Sequence, residues 1–225
     1  MNSNLLYIAK AAALGDSCFD YILGEIRPGV TERSVADKID AFLLSHGGES
    51  LAFPTICVSG ARGCLPHGEP TDKVIEAGDF LTMDFGAVIG GFCGDMTRTV
   101  AIGRVTEEQR RVYETVLAAQ EAAIRTISAG VRCADVDKAA RDIITDAGYG
   151  EYYIHGTGHG VGREVHEPPT LNAKSEETLS ADMAVTAEPG IYIEDSMGVR
   201  IEDLLIVTDT GIINLVSSEK RLLIL

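Results

Sequence analysis

Two carboxylates of this sequence directly follow apolar runs that are typical of buried strands. Asp84 comes after Phe80-Leu-Thr-Met83, and Glu188 comes after Met183-Ala-Val-Thr-Ala187. A carboxylate beside a buried strand costs much free energy unless it is paired with a cation or binds a metal ion. Both residues are therefore candidate metal ligands.

Three more candidate ligands lie in β-type or glycine-rich stretches. Asp95 follows Gly91-Phe-Cys-Gly94, and Glu202 lies in a run of alternating apolar residues. His159 belongs to the stretch His155-Gly-Thr-Gly-His-Gly-Val-Gly162, whose glycines allow the backbone to approach a bound group closely. An imidazole in such a loop is well placed to coordinate that group.

Four of these five residues also have an ordinary structural alternative, and Glu188 is the exception. Asp84 could cap a turn at the end of its strand, Asp95 could pair with Arg98, and Glu202 could pair with Arg200. The histidine could be held by backbone groups of its own glycine loop. Considered one at a time, the residues leave these alternatives open.

Taken together, the five side chains form an oxygen-rich ligand set with one nitrogen. Such a set suits manganese, cobalt, zinc or iron better than metals that prefer thiolates, and manganese is favoured among them. Four carboxylates carry more negative charge than one divalent ion balances, so we expect two ions. Two ions about 3.5–4 Å apart can share a water molecule and lower its pKa towards neutrality.

Helical and β-type stretches alternate twice along the chain and would position these ligands. Apolar spacing and helix caps predict helices at 5–26, 31–44, 106–128 and 134–147. Runs of β-forming residues predict strands at 56–59, 80–87, 92–102, 183–187, 191–194, 200–208 and 212–216. Thr31 is the predicted N-cap of the second helix, and Thr106 with Gln109 has the form of a capping box.

The repeated order of elements is accompanied by an internal repeat in the sequence. Ile26-Arg-Pro-Gly-Val30 corresponds to Ile127-Ser-Ala-Gly-Val131, which lies 101 residues further on. Further matches in the same order are Asp84 with Glu188, Asp95 with Glu202, and His67 with His166. We therefore expect one α+β domain over 1–225 with pseudo-symmetric halves at 1–104 and 105–225. The halves would share one curved antiparallel sheet with helices on its outer face and the site between them.

Seven stretches of the sequence resemble the pita-bread (creatinase/aminopeptidase) metallopeptidases, the group of methionine aminopeptidases, aminopeptidase P and prolidase. The stretches are Leu65-Pro-His-Gly68, Met83-Asp-Phe-Gly86, Gly94-Asp-Met-Thr-Arg-Thr99, Gly158-His-Gly-Val-Gly162, Val165-His-Glu-Pro168, Ala187-Glu-Pro-Gly190 and Val199-Arg-Ile-Glu-Asp203. The resemblance implies the pita-bread fold. It also implies that Asp95 and Glu202 bridge two metal ions, that Asp84 binds one ion, and that His159 and Glu188 bind the other.

The same resemblance implies an exopeptidase reaction on a peptide substrate with a free N-terminus. A hydroxide held between the two metals would attack the first peptide bond, with Glu188 as the proton shuttle. His67 and His166 would form hydrogen bonds to the scissile amide and the tetrahedral intermediate.

The motifs resemble the Xaa-Pro-cleaving branch of the family more than the methionine aminopeptidases. In that branch His155, Tyr192 and Arg200 would support the metal ligands or line the proline pocket. Xaa-Pro enzymes normally carry an additional N-terminal domain, which we expect to be absent from this chain. Its size therefore keeps a methionine aminopeptidase open as an alternative, and a non-catalytic peptide-binding module is a further one.

Composition limits the partners and the location of the protein. The formal net charge of −15 disfavours nucleic acid and anionic membrane surfaces as partners. Five cysteines without a C-x-x-C pair, and an N-terminus without a basic leader, favour a cytoplasmic protein in a reducing environment. A homodimer remains possible.

Overall fold

A computed structural model describes residues 3–225. Met1 and Asn2, which belong to the expected 1–225 domain and to the N-terminal stretch considered above, lie outside the described residues. The helices are α1 (Ser3–Leu23), α2 (Glu32–Ser45), α3 (Glu107–Thr126) and α4 (Cys133–Asp146). The strands are β1 (Ser50–Leu51), β2 (Ile56–Ser59), β3 (Phe80–Phe85), β4 (Ala87–Ile89), β5 (Phe92–Cys93), β6 (Met96–Ala101), β7 (Gly158–Gly160), β8 (Glu167–Leu171), β9 (Ala184–Ala187), β10 (Gly190–Ile193), β11 (Met197–Arg200), β12 (Asp203–Thr208) and β13 (Gly211–Asn214).

All four predicted helices are confirmed to within one helical turn at each end. The Thr31 hydroxyl caps α2 by accepting a hydrogen bond from the Ser34 backbone N–H. The Thr106 hydroxyl and the Gln109 side chain form the predicted reciprocal capping box at the start of α3. These caps satisfy backbone N–H groups that have no partner within the helix.

Several predicted strands are interrupted, and two site carboxylates stand in the interruptions. The run predicted at 92–102 breaks between β5 and β6, where Asp95 lies, and the run at 200–208 breaks between β11 and β12, where Glu202 lies. The run at 80–87 breaks at Gly86, where only glycine fits because a Cβ would lie 1.9 Å from the Gly94 carbonyl oxygen. Sequence reasoning missed β1, β7 and β8, whose short, glycine-rich or proline-containing sequences hide a strand. It also missed β4 and β11, of which the predicted runs reach only Ala87 and Arg200.

The expected antiparallel pairing is present, but the strands form four hydrogen-bonded groups rather than one continuous sheet. The groups have the orders β1-β4-β5, β2-β3-β6, β10-β11 and β13-β12-β9-β7-β8. The interruptions explain the division, because each one ends a ladder of hydrogen bonds. At the junction of the β2-β3-β6 and β13-β12-β9-β7-β8 groups the Glu202 N–H donates to the Thr97 carbonyl oxygen at 3.1 Å.

Two buried apolar clusters lie beneath the helices, and each cluster contains residues from both parts of the chain. Helices α1 and α2 contribute to the first cluster, which also contains Leu204 and Ile206. Helices α3 and α4 contribute to the second, which also contains Phe80 and Ala101. We propose on this basis that 1–104 and 105–225 are two related halves of one domain.

Two further findings concern the setting of the chain. None of the helices within 3–225 combines the length and the apolar character that crossing a membrane would need. All five cysteines carry free thiols, and four of them are buried.

We expect Thr106→Ala to lower the free energy of unfolding by about 1 kcal/mol, because the cap of α3 loses its acceptor. Urea denaturation measures the change. Thr115→Ala is the matched control on the same helix, since the Thr115 hydroxyl only bonds the Arg111 carbonyl oxygen within the helix. The control should stay within about 0.5 kcal/mol of the parent protein. Equal losses in both variants would contradict the capping role.

Candidate metal centre

A cleft of about 600 Å³ brings together nine of the ten residues predicted for the site. These residues are His67, Asp84, Asp95, His155, His159, His166, Glu188, Arg200 and Glu202. The tenth residue, Tyr192, is buried behind the lining and contacts two of its members, His155 and Arg200. The cleft therefore joins residues from both parts of the chain.

Asp84 is a strand residue whose carboxylate is only half satisfied. Its Oδ2 accepts a hydrogen bond from Arg200 Nη2 at 2.7 Å. Its Oδ1 is buried and has no hydrogen-bond partner among the residues of 3–225. Burial raises the pKa of Asp84, although the charge of Arg200 opposes this shift. A buried acceptor without a donor is the arrangement that a bound cation would satisfy.

Asp95 and Glu202 are buried carboxylates of like charge. Burial raises the pKa of both well above the ordinary value, and the other carboxylates of the cleft raise it further. The Thr97 hydroxyl donates to Glu202 Oε2 at 2.7 Å and opposes that shift in part. Coulomb repulsion between nearby charges is strong where water is excluded. Additional positive charge, beyond that of the neighbouring side chains, would therefore stabilise the ionised form of this pair.

His159 lies next to Glu188 and points one ring nitrogen at the carboxylates. His159 Nε2 is 3.1 Å from Glu188 Oε1 and 3.8 Å from Asp95 Oδ2. Burial alone would raise the pKa of Glu188, but the hydrogen bond and charge of His159 outweigh it and lower that pKa to about 2. His159 Nδ1 lies 3.1 Å from the Gly160 carbonyl oxygen. An Nδ1–H donating there leaves Nε2 as the nitrogen that faces the carboxylates.

Close backbone packing explains why glycines flank His159. A Cβ at Gly158 would lie 2.1 Å from the Thr186 carbonyl oxygen, and one at Gly160 would lie 2.3 Å from the Pro168 carbonyl oxygen. Strand β7 is thereby held between β8 and β9. Since Glu188 directly follows β9, this packing sets the imidazole beside it.

The ion pairs left open by the sequence are replaced by different ones. Arg98 is buried and pairs with Asp203 at 2.8 Å instead of Asp95. Arg200 pairs with Asp84 instead of Glu202. Asp84 itself lies within β3 and not in a turn. None of the three structural alternatives considered for Asp84, Asp95 and Glu202 is therefore found in the structure.

His155 forms the end of a hydrogen-bonded chain that supports Asp84. Arg200 Nη1 donates to the Tyr192 hydroxyl oxygen at 2.8 Å, and that hydroxyl lies 2.8 Å from His155 Nε2. His155 Nδ1 is 2.7 Å from the Gly156 carbonyl oxygen, so an Nδ1–H donor leaves Nε2 to accept from Tyr192. Burial lowers the pKa of His155, which favours this neutral form.

The remaining histidines line the cleft beside the carboxylates. The ring of His166 is 4.4 Å from the ring of His159, centre to centre. Burial lowers the pKa of His166, and the neighbouring His159 lowers it further. His67 is exposed in the loop after β2. Both imidazoles are therefore available to a molecule bound in the cleft.

Two threonines that hold the candidate ligands were missed by the sequence reasoning. Thr97 accepts a hydrogen bond from Arg200 Nε at 3.1 Å and donates to Glu202. Thr186 accepts from the His159 N–H at 3.1 Å and lies 3.3 Å from Glu188 Oε1. Each threonine is two residues from a candidate ligand. A hydroxyl at that spacing was the available signal, because alternate residues of a strand share a face.

The geometry fits a divalent metal ion. Ligand atoms of Asp95, His159 and Glu202 all lie within 4.8 Å of one another. The orphaned Asp84 Oδ1 and the raised pKa of Asp95 indicate a site with too little positive charge. Carboxylate oxygens with one imidazole nitrogen are a donor set that divalent first-row metals accept.

Comparison with known proteins gives one family and consistent relatives. The model of metallopeptidase family M24 matches residues 7–209. A Xaa-Pro dipeptidase of Pyrococcus furiosus is 43% identical over 216 residues, which is 96% of this chain and 62% of the relative. The chain thus spans about three fifths of the length of that relative.

Solved structures give the same picture. The structure of a Xaa-Pro dipeptidase from Bacillus anthracis matches with a TM-score of 0.98 and 45% identity, over 100% of this chain and 63% of that one. An X-Pro aminopeptidase from Thermotoga maritima matches with a TM-score of 0.96 and 37% identity, over 99% and 63%.

We expect Glu202→Gln to stabilise the metal-free protein, because one of the crowded negative charges is removed while Thr97 keeps an acceptor. The melting temperature should rise by roughly 2–4 °C, which corresponds to about 1 kcal/mol. Thermal denaturation in the presence of a chelator measures it. The exposed Glu176→Gln is the matched control and should leave the melting temperature unchanged.

The sign of the pH dependence follows from the raised folded-state pKa of Glu202. The cost of the buried, repelled charge is absent below the unfolded-state pKa of about 4.3, grows as the pH rises from there to the folded-state value, and is constant above it. The advantage of Glu202→Gln should therefore vanish as the pH falls to about 4.3. An advantage that persists there would contradict charge repulsion as its cause.

Proposed function

Because the chain belongs to metallopeptidase family M24 and has the pita-bread fold, we propose that it is a metal-dependent exopeptidase. Its reaction is hydrolysis of the N-terminal bond of peptides that carry proline in the second position. One observation carries the proposal. Three buried carboxylates, the partly exposed Glu188 and one imidazole converge on a cleft, and one buried carboxylate oxygen there has no donor among residues 3–225.

The five converging side chains are the proposed ligands of two divalent ions, with manganese as the first choice. Asp95 and Glu202 would be shared between the ions, since both are buried and their pKa values are raised by burial and by the charge of neighbouring carboxylates. His159 and Glu188 would serve one ion, because their side chains touch. Asp84, which is paired with Arg200 instead, would serve the other. Two such ions would lower the pKa of a shared water molecule and polarise the scissile carbonyl group.

Glu188 is the proposed proton carrier of the reaction. Its carboxylate is held by the His159 ring and faces the Thr186 hydroxyl, so its position is restrained on two sides. It would accept the proton of the attacking water and deliver it to the nitrogen of the leaving peptide. General acid–base catalysis of this kind contributes typically 10²–10⁴-fold to a rate.

His67 and His166 are the proposed donors to the substrate. Both line the cleft, and a neutral imidazole still carries one N–H group. These groups would donate hydrogen bonds to the scissile amide and to the oxygen on which negative charge develops. The Arg200–Tyr192–His155 chain would keep Asp84 in place while this happens.

The lining of the cleft supports a proline-containing substrate. One part of it is apolar and is formed by Phe53, Pro54, Ile56, Val165 and Pro168. A pyrrolidine ring is apolar and brings no N–H group that would need a partner there. The negative charge of the carboxylates would attract the free ammonium group of the substrate. The relatives that are named Xaa-Pro dipeptidase and X-Pro aminopeptidase support the same choice.

Two alternatives are weaker on these grounds. The methionine aminopeptidase alternative has less support, because the similar proteins described above carry Xaa-Pro names. A non-catalytic peptide-binding module would not need the costly cluster of buried carboxylates. A cytoplasmic location and a homodimer remain predictions, the first supported by five free thiols.

We expect the purified protein to cleave Xaa-Pro peptides after addition of Mn²⁺ or Co²⁺ and to leave Met-Ala peptides intact. A panel of both peptide types at two, three and five residues, analysed by chromatography, measures this and also the preferred length. Treatment with a chelator should abolish cleavage, and restored metal should return it. Preferential cleavage of Met-Ala peptides would select the methionine aminopeptidase alternative.

We expect Glu188→Gln to lower kcat by about 10³-fold or more, because the amide cannot carry the proton. Initial rates on the best Xaa-Pro peptide, together with metal content, measure the effect. Glu194→Gln is the matched control, since Glu194 is exposed at the turn between β10 and β11. Activity close to that of the parent protein in Glu188→Gln would overturn the assigned role.

A further inference from the structure

His67 depends on its loop for its position in the cleft. Residues 60–71, which we name the His67 loop, connect β2 to the segment that leads into β3. The His67 side chain is exposed, and no hydrogen bond to its ring is formed within the described part of the chain. Whatever fixes the ends of this loop therefore sets the position of the backbone that carries the imidazole.

Glu32 is a fully buried carboxylate at both ends of the His67 loop. Its Oε1 accepts from the Ser59 N–H at 2.7 Å and from the Ser59 hydroxyl at 3.0 Å. Its Oε2 accepts from the Thr71 hydroxyl at 2.8 Å and from the Thr71 N–H at 3.2 Å. Ser59 precedes the loop and Thr71 ends it, so one side chain closes the loop.

Arg62 carries the same contact network into the loop itself. Arg62 Nε donates to Glu32 Oε2 at 3.1 Å, and Arg62 Nη2 donates to the Glu69 carbonyl oxygen at 2.7 Å. Glu69 is two residues from His67. The carboxylate is thus connected to the loop at its beginning, in its middle and at its end.

The position of Glu32 in the fold makes this arrangement rigid. Glu32 is the first residue of α2, where the helix dipole favours a negative charge. Its backbone N–H donates to the Lys73 carbonyl oxygen, and the neighbouring Arg33 N–H donates to the Thr71 carbonyl oxygen. The anchor of the loop is therefore a helix end rather than another loop.

The second half of the chain holds its own histidine-bearing segment in a similar way. Asp137 of α4 is fully buried, accepts from the Thr157 hydroxyl at 2.9 Å and pairs with Arg141. Arg141 donates to the carbonyl oxygens of Tyr153 and His155. In both halves a buried helix carboxylate and an arginine restrain the backbone around a cleft histidine.

We propose that Glu32 is a positioning residue for His67, which acts on the substrate only while this carboxylate closes the His67 loop. The proposal rests on the proposed peptidase function. Glu32 lies outside the cleft lining and does not touch the candidate metal ligands. Its removal should therefore change turnover through His67 and leave metal binding as it was.

The first test is a double-mutant cycle of Glu32→Gln and His67→Ala on the metal-loaded protein. The amide of the glutamine keeps one oxygen acceptor and places its NH2 group against the donors of either Ser59 or Thr71, which releases that end of the loop. We expect Glu32→Gln alone to lower kcat about 10–100-fold, since a displacement of about 1 Å can cost 10²-fold. In the His67→Ala background the same change should lower kcat less than about twofold, because its effect has already been lost. Metal content should be equal in all four proteins.

Two further variants keep the test decisive. Thr71→Val removes one donor at nearly constant shape and should lower kcat a few-fold in the same His67-dependent way, even if Glu32→Gln does not fold. Asp16→Asn is the matched control, since Asp16 also accepts several hydrogen bonds but from Ser217 and Ser218. It should keep kcat within about twofold. An unchanged kcat in Glu32→Gln, or an equal loss with and without His67, would overturn the proposal.

Amide hydrogen exchange separates this proposal from the proposed function. Exchange in Glu32→Gln should accelerate at 60–71 and stay unchanged at 153–159. If the parent protein cleaves no peptide, the proposed function fails, and the exchange pattern still decides whether Glu32 fixes the His67 loop. Unchanged exchange at 60–71 would reject the positioning role whatever the activity.

Discussion

Repulsion among four neighbouring carboxylates, three of them buried and one partly exposed, is the constraint on which the rest of the structure depends. Asp84, Asp95, Glu188 and Glu202 share one cleft, and excluded water strengthens every interaction between them. Cationic side chains neutralise only part of this negative charge, because Arg200 pairs with one carboxylate and His159 with another. The negative charge that is not neutralised, together with burial, raises the pKa of Asp95 and Glu202. Asp84 Oδ1 has no hydrogen-bond donor among the described residues. A fold that holds these carboxylates together would be stabilised by bound cations, which its own side chains do not fully replace.

The local structure serves this cluster by interrupting regular strands where ligands are needed. Asp95 and Glu202 stand in gaps between strands, and backbone contacts across those gaps hold the gaps in shape. The hydroxyl groups of Thr97 and Thr186 orient the carboxylates of Glu202 and Glu188 without adding charge. Neutral donors suit this purpose, because a further cation would compete with a metal for the same oxygens. Positioning by hydroxyls and backbone groups leaves the charge of the site available to a ligand.

Much of the architecture could be predicted from the sequence, and what escaped prediction shares one physical cause. The helices were recognisable because capping and apolar spacing are local, as at Thr31 and Thr106. The candidate ligands were recognisable because a carboxylate such as Glu188 is costly after an apolar strand. The partner of Arg98 was not, because Asp203 lies more than a hundred residues away and only tertiary packing brings them together. Strand β7 escaped for the same reason, since its glycines are explained by neighbours in space.

The contribution of carboxylates from both halves has a consequence for the lifetime of the protein. Asp84 and Asp95 precede α3, and Glu188 and Glu202 follow it, so like charges face each other across the seam between the halves. Without cations the repulsion destabilises this seam, and partial opening there would relieve it. Proteases act on such opened states. Cellular metal supply would then govern how long a newly made chain survives, in addition to whether it works.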